Sequence, residues 1–280
     1  MSVRCIQLPQ IQNFNPSSRA TLRLPLGAVY EKLYIYLGTT GVTKAIISNI
    51  VLKLNNKELQ RWSTVADLDI LNGYKGNASN GAFLLLDFTE RLAKQEAGAK
   101  FGAIAACQEA GVQDFTVEFD IGNFTPVAGN APTAYADIND ASSNRVVTRV
   151  QYAQRTIAGA AVENIYVPFG AAGYQIKRLI IKGNQLKSVK IRRDSVDIWE
   201  DLPAHLVTFR AQDFGRMPQA GCQVVDFMPD TLLSNVLNTV FTLGGDGAPV
   251  AVSNLDIRVT TAAADTVTVY TEGYALLNLL

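Results

Sequence analysis

The side chains of this chain that could do chemistry are few and far apart. His205 is the only histidine, and as a general base it would need a nucleophilic hydroxyl or thiol beside it and an orienting carboxylate behind it. It sits just after Pro203 in a helical stretch with no serine or cysteine in an elbow context, so a structural role is expected. Ser79 lies in Asn77-Ala78-Ser79-Asn80-Gly81, which lacks the Gly-x-Ser-x-Gly turn that exposes a nucleophile. Gly244-Gly245-Asp246-Gly247 could cradle a phosphate only with a Lys-Ser or Lys-Thr behind it, and Pro249 follows instead, which reads as a plain turn. Asp137-Ile138-Asn139-Asp140 is rich in oxygen but lacks the ordered acidic spacing of a calcium loop and reads as a solvated turn. Cys5, Cys107 and Cys222 are odd in number and widely spaced, which builds neither a disulfide framework nor a zinc site and suits a reducing cytoplasm. No catalytic or cofactor-binding residue is assigned, and an enzyme is not expected.

One charged feature stands out. Lys177, Arg178, Lys182, Lys187, Lys190, Arg192 and Arg193 follow one another with no acid between them, and strand alternation places Lys190 and Arg192 opposite Val189 and Ile191. The run reads as a solvated strand face. The sharper alternative is a strip at the base of a barrel, set against anionic lipid headgroups or an acidic neighbour. Across the whole chain 25 basic residues balance 25 acidic ones, so nothing in the net charge favours condensing nucleic acid.

The elements that must position these residues are mostly strands. Ile46–Leu54 turns at Asn55-Asn56 into Glu58–Trp62, and Ser188–Arg192 turns at Asp194-Ser195 into Val196–Trp199, giving two equivalent hairpins. Thr64 with Asp67 three residues on makes a capping box before a short helix, and Asp201-Leu202-Pro203 opens a comparable one. Longer helices are expected over Thr89–Ala106 and Pro229–Val240 from their composition and apolar spacing. Strands follow at Asp114–Ile121, Arg145–Gln154, Leu255–Val259 and Thr266–Tyr270. No apolar stretch approaches the roughly 20 residues of a spanning helix, and Met1–Gln10 lacks the apolar core of a secretory signal.

These elements occur twice in the same order. Leu24-Pro25-Leu26-Gly27-Ala28 returns as Val167-Pro168-Phe169-Gly170-Ala171, Tyr30 as Tyr174, Trp62 as Trp199, and Leu85-Leu86-Asp87-Phe88 as Val224-Val225-Asp226-Phe227. The offset is nearly constant, as a duplicated domain with small loop insertions requires. The expected division is a first domain over 1–122 with an N-terminal arm in Met1–Arg19, a Gly/Pro/Ala-rich linker over 123–144, and a second domain over 145–280. Tyr30, Trp62, Phe88, Tyr174, Trp199 and Phe227 are expected in the two cores. Many short strands and few helices make the class all-β, with tandem sandwiches or jelly rolls and short helices between strands.

The order Leu-Pro-Leu-Gly-x-x-Tyr at Leu24–Tyr30, the hairpin to Trp62, the helix at Thr64–Asn72, Val117–Ile121, Gly173-Tyr174-Gln175-Ile176 and Val225–Met228 resembles the major capsid protein of corticoviruses. These are membrane-containing icosahedral phages of marine bacteria, and the likeness runs from about Leu8 to Tyr274. It implies a double jelly roll whose three copies form a homotrimer of pseudo-hexagonal outline, tiling a shell around an internal membrane. It also implies neighbouring trimers, vertex (penton) proteins and minor membrane-associated virion proteins as partners, lipid headgroups nearby, and no direct genome binding. The protein would be made in the host bacterial cytoplasm and reside in the virion capsid. No cofactor is implied, and the structural calcium the resemblance allows is not located by any residue. The alternative is a tandem β-sandwich module binding carbohydrate or a receptor, for which Tyr74, Tyr135 and Tyr152 look too scattered.

Overall fold

The computed structural model describes residues 4–38, 40–127, 131–169, 175–242 and 249–277. The chain divides into two compact units, Met1–Thr148 and Arg149–Leu279. Among the described residues no helix is long and apolar enough to cross a membrane.

In the first unit the strands are β1 (Arg4–Gln7), β2 (Arg19–Arg23), β3 (Ala28–Tyr36), β4 (Ile47–Leu54), β5 (Lys57–Thr64), β6 (Phe83–Asp87), β7 (Ile104–Ala106), β8 (Phe115–Ile121) and β9 (Thr133–Asp140). Helix α1 (Val65–Tyr74) follows β5, and a single turn, α2 (Glu96–Lys100), precedes β7. One sheet runs β1-β9-β3-β6 with β7 also on β3, and the other contains β5-β4-β8-β2, with antiparallel pairing throughout these strands. Strands β2, β3 and β9 bury alternate residues over most of their length. Leu33 and Ile35 of β3 and Val117 and Phe119 of β8 are inaccessible to solvent. The two sheets meet where the ring of Tyr30 stands edge-on to Phe115, centroids 5.2 Å apart. Burial pushes the Tyr30 hydroxyl up to about 12, and it donates to the Pro25 carbonyl at 2.6 Å, so its polar tip is satisfied.

In the second unit β10 (Val146–Ile157) carries the chain across the boundary. It is followed by β11 (Val162–Asn164), β12 (Gln175–Lys182), β13 (Leu186–Arg193), β14 (Val196–Trp199), α3 (Ala204–Asp213), β15 (Cys222–Asp226), β16 (Leu237–Asn238), β17 (Val240–Thr242), β18 (Pro249–Ala251), β19 (Leu255–Thr261) and β20 (Asp265–Leu276). The sheets contain β10-β20-β12-β15 and β11-β19-β13-β14. Apart from the small β17-β18 ribbon these sheets repeat those of the first unit, and the repetition reaches single hydrogen bonds. Asn55 and Asn56 have φ of 50° and 61°, Asp194 and Ser195 of 49° and 69°, the left-handed pair of a tight hairpin turn. The Asn55 Oδ1 accepts from the Gln113 and Asp114 backbone at 2.7 and 3.3 Å. The Asp194 Oδ1 accepts from the Ser253 and Asn254 backbone at 2.8 and 3.2 Å. The ladder of β3 is bulged at Glu31 and that of β12 at Lys177. Each bulge carbonyl accepts at 3.0 Å from the backbone N–H of the phenylalanine just after the neighbouring strand, Phe88 after β6 and Phe227 after β15.

Several expectations need correction. Residues 123–144 are not a linker, because β9 lies within them and pairs along the whole of β3. The N-terminal segment is not a loose arm, since β1 pairs β9 and Leu8 and Ile11 are buried. Thr89–Ala106 holds only the turn α2 before β7; Gly98 and Gly102 interrupt it, and short segments do not sustain a helix. Pro229–Val240 forms one tight turn and then β16, whose pairing with β12 takes the apolar residues. Trp62 and Trp199 are buried, as are Tyr30 and Phe88, but Phe227 is only half-buried and Met228 takes its place in the core. Tyr174 lies outside the described residues; the bulges match Tyr30 instead with Ile176, which is fully buried.

Candidate functional site

Each unit hides a charged cluster where its helix returns to the sheet. In the first, Asp87 ends β6 and is buried. Its carboxylate lies 3.7 Å from the Lys75 ammonium just beyond α1 and 3.8 Å from Lys32 on β3. It accepts from Asn77 at 2.6 Å and from both the backbone and hydroxyl of Thr89. Burial alone would push this carboxyl up, but Lys75, Lys32 and the Thr89 bonds outweigh it and hold it below the usual range. In the second unit Asp226 ends β15, with Arg216 just beyond α3 at 3.4 Å and Arg178 on β12 at 3.6 Å. The Asp226 Oδ1 likewise accepts from a backbone N–H two residues on, that of Met228. Lys32 stands opposite Asp87 and Asp137, and Arg178 opposite Asp226 and Glu272. The clusters are therefore equivalent, each an acid–base–acid row across three strands with a helix-end cation. Removing one partner of such a buried set costs about 3–5 kcal/mol.

The basic run divides on folding. Lys177 and Arg178 are inaccessible to solvent and share Glu272, at 2.8 and 2.7 Å, and Lys177 also lies 4.6 Å over the Tyr274 ring. That corrects their assignment to a lipid- or neighbour-facing strip. Lys190 and Arg192 both bind Asp197 of β14 at 2.8 Å, and Arg193 donates to the Asn238 carbonyl. Lys182 is half-exposed and Lys187 exposed. The partner acids were invisible in the run because they lie on other strands.

The other candidates scatter. His205 is exposed on α3. Asp137 accepts from the Tyr34 hydroxyl at 2.7 Å, Asn139 donates to Glu31, and Asp140 is held by Arg4 at 3.1 Å, so the oxygens of this segment serve separate partners. Among the described residues no group of three or more His, Cys, Asp or Glu could hold a metal ion. Gly244–Gly247 lies outside the described residues.

A surface absent from the sequence reading is the outer face of the sheet β1-β9-β3-β6. Tyr34 stands opposite Tyr135 and Leu85, and Tyr36 opposite Phe83, with the last two rings 4.9 Å apart. All five are half-exposed. With Cys5 and Asp137 the aromatic rings line an open groove of about 510 Å³, and a second of about 410 Å³ adjoins it, edged by Lys32, Lys44 and Arg91. Burial and the Asp137 bond push the Tyr34 hydroxyl up. The alternation Lys32, Tyr34, Tyr36 was readable as an outward face; that Tyr135 joins it was not.

A family model described as the viral coat protein P2 N-terminal domain matches residues 5–139, and one for the viral coat protein P2 C-terminal domain matches residues 147–277. Among solved structures the chain is similar to the major capsid protein P2 of bacteriophage PM2, at 17% identity and a TM-score of 0.82, covering 98% of each chain. It is also similar to a chain in the atomic structure of Sulfolobus Turreted Icosahedral Virus, at 12% identity and a TM-score of 0.66, covering 99% of this chain and 91% of that one. Likeness to the PBCV-1 virus capsid is 11% identity with a TM-score of 0.60, covering 98% and 93%. At such identities these likenesses speak for the fold, a double jelly roll. A search of curated proteins finds no match.

Proposed function

We infer that this chain, which belongs to the viral coat protein P2 family over both of its units, serves as the major capsid protein of a membrane-containing icosahedral virus. The observation that carries this reading is the pairing of two family domains with a duplication kept down to bulges, turns and buried charge clusters. Two like modules per chain give six like modules in a homotrimer, so a threefold assembly has a nearly hexagonal outline and can tile a shell. The protein acts by presenting surfaces, not by chemistry, and resides in the virion capsid after synthesis in the cytoplasm of a bacterial host.

Its proposed partners are neighbouring trimers, the vertex (penton) proteins and minor membrane-associated virion proteins. Balanced charge fits a coat kept from the genome by a membrane, with no direct genome binding. Headgroup contact, if made by the basic strip, falls to the exposed Lys187 and to Lys190 and Arg192, which are partly exposed and share Asp197. Light scattering coupled to size exclusion tests the reading: the purified chain should run with the mass of three copies. A monomer at high concentration would contradict it.

A further inference from the structure

Resting on the coat-protein reading, we propose that the outward ridge of α3 is the surface by which one trimer meets the next, α3 against α3 across a twofold axis. The helix holds to its own unit by one side only, burying Val207 and Ala211, and Arg210 lies 5.3 Å over the Trp199 ring. On the side turned away, Leu206 is 43% exposed and Phe209 67%, and Phe214 and Met217, just past the helix in the chain, are exposed as well. Large apolar side chains gathered in water within one short segment mark an interaction surface, whereas single ones do not.

The polar groups of α3 say what covers it. His205, Phe209 and Asp213 stand at i, i+4 and i+8 of the helix, so they form a single ridge with the ring in the middle and a polar group at each end. Neither the His205 imidazole nor the Asp213 carboxylate has a side-chain partner among the described residues. A twofold axis through Phe209 lays the ridge against its own copy, ring beside ring, and brings His205 of each helix to Asp213 of the other. Each imidazole N–H can then donate to a carboxylate, twice per contact. A bilayer offers Asp213 no such donor at the depth of the ring, so a second copy fits the ridge and an apolar lipid layer does not. Contacts within a threefold ring are head to tail; a twofold contact therefore joins separate trimers. One short helix pair buries less than the about 1,200 Å² of a stable complex, so the contact is weak alone and holds when each trimer makes three.

Sedimentation velocity of the purified protein over a range of concentrations tests this. The wild-type trimer should associate further in whole-trimer steps as concentration rises, and Phe209→Asp should abolish those steps with the trimer itself and the circular dichroism unchanged. His205→Asp, which sets acid against acid at both ends of the contact, should weaken the association about tenfold. The double variant H205D/D213H restores an imidazole facing an acid across the axis and should recover it, a rescue that a general change of surface charge would not give. Both positions are exposed, so this pair decides the matter should Phe209→Asp fail to fold. Trimers that never associate, steps that persist in Phe209→Asp, or a double variant no better than His205→Asp would overturn the proposal and leave the coat-protein reading standing. Flotation of the wild type, but not of Phe209→Asp, with neutral phosphatidylcholine vesicles would give the ridge to lipid and overturn it too. A wild-type monomer at high concentration would overturn both readings.

Discussion

Asp87 is a carboxylate with no access to water that stays charged because two lysines, an amide and a threonine surround it. Its folded proton affinity lies below the unfolded one, so the native state holds fewer protons than the unfolded chain near the unfolded pKa of about 3.9. The stability it contributes is complete above that value and is lost as pH falls through the folded one. Acid titration by circular dichroism should therefore show stability falling below about pH 4, and Asp87→Asn should flatten that fall while lowering stability at neutral pH by about 3–5 kcal/mol. An unchanged acid profile in the variant would remove Asp87 from the account. At this scale the sequence showed the recurrence of Asp87-Phe88 as Asp226-Phe227 but not its reason. The cations that pair these acids come from a preceding strand and from beyond a helix end. The acids that neutralise the basic run lie on other strands, so of a string of cations that looked free Lys177 and Arg178 are internal on Glu272 and Lys190 and Arg192 are paired with Asp197.

Among the elements, legibility followed how local the determinants are. Both hairpins and the capped helix could be read, because a turn needs only its own residues. Asn55-Asn56 and Asp194-Ser195 take the left-handed backbone that short polar side chains tolerate, and the Thr64 hydroxyl accepts from the Asp67 backbone at 3.3 Å. Thr64→Ala should cost about 1 kcal/mol, measured by urea denaturation; a change within the scatter of exposed substitutions would show that packing of Leu68 and Leu71, not the cap, fixes the start of α1. The longer helices failed for the converse reason. Pro229–Val240 has helical spacing, but Leu237 lies beside Ile176 on β12, and pairing to an existing strand outweighs local propensity. β9 was missed because its run of small residues reads as linker, although Ala134, Ala136 and Ile138 alternate inward.

At the scale of the molecule, the duplication is what connects sequence to function. Its existence was legible from recurring short motifs, yet its alignment was off by two residues at Tyr30, because the bulges that set the register leave no mark in composition. Corrected, the alignment matches the two main sheets of one unit with those of the other, and it shows a difference: Ile180, Tyr270 and Val224 are buried where Tyr34, Tyr135 and Leu85 are half-exposed. Two like modules per chain make six in an assembly of three chains, which gives the coat a hexagonal tile from a threefold assembly. The most direct test is electron microscopy of the purified oligomer with averaging of its end-on views. Six lobes of similar size with threefold symmetry are predicted; averages with one or two lobes, or with a twofold arrangement, would contradict the account.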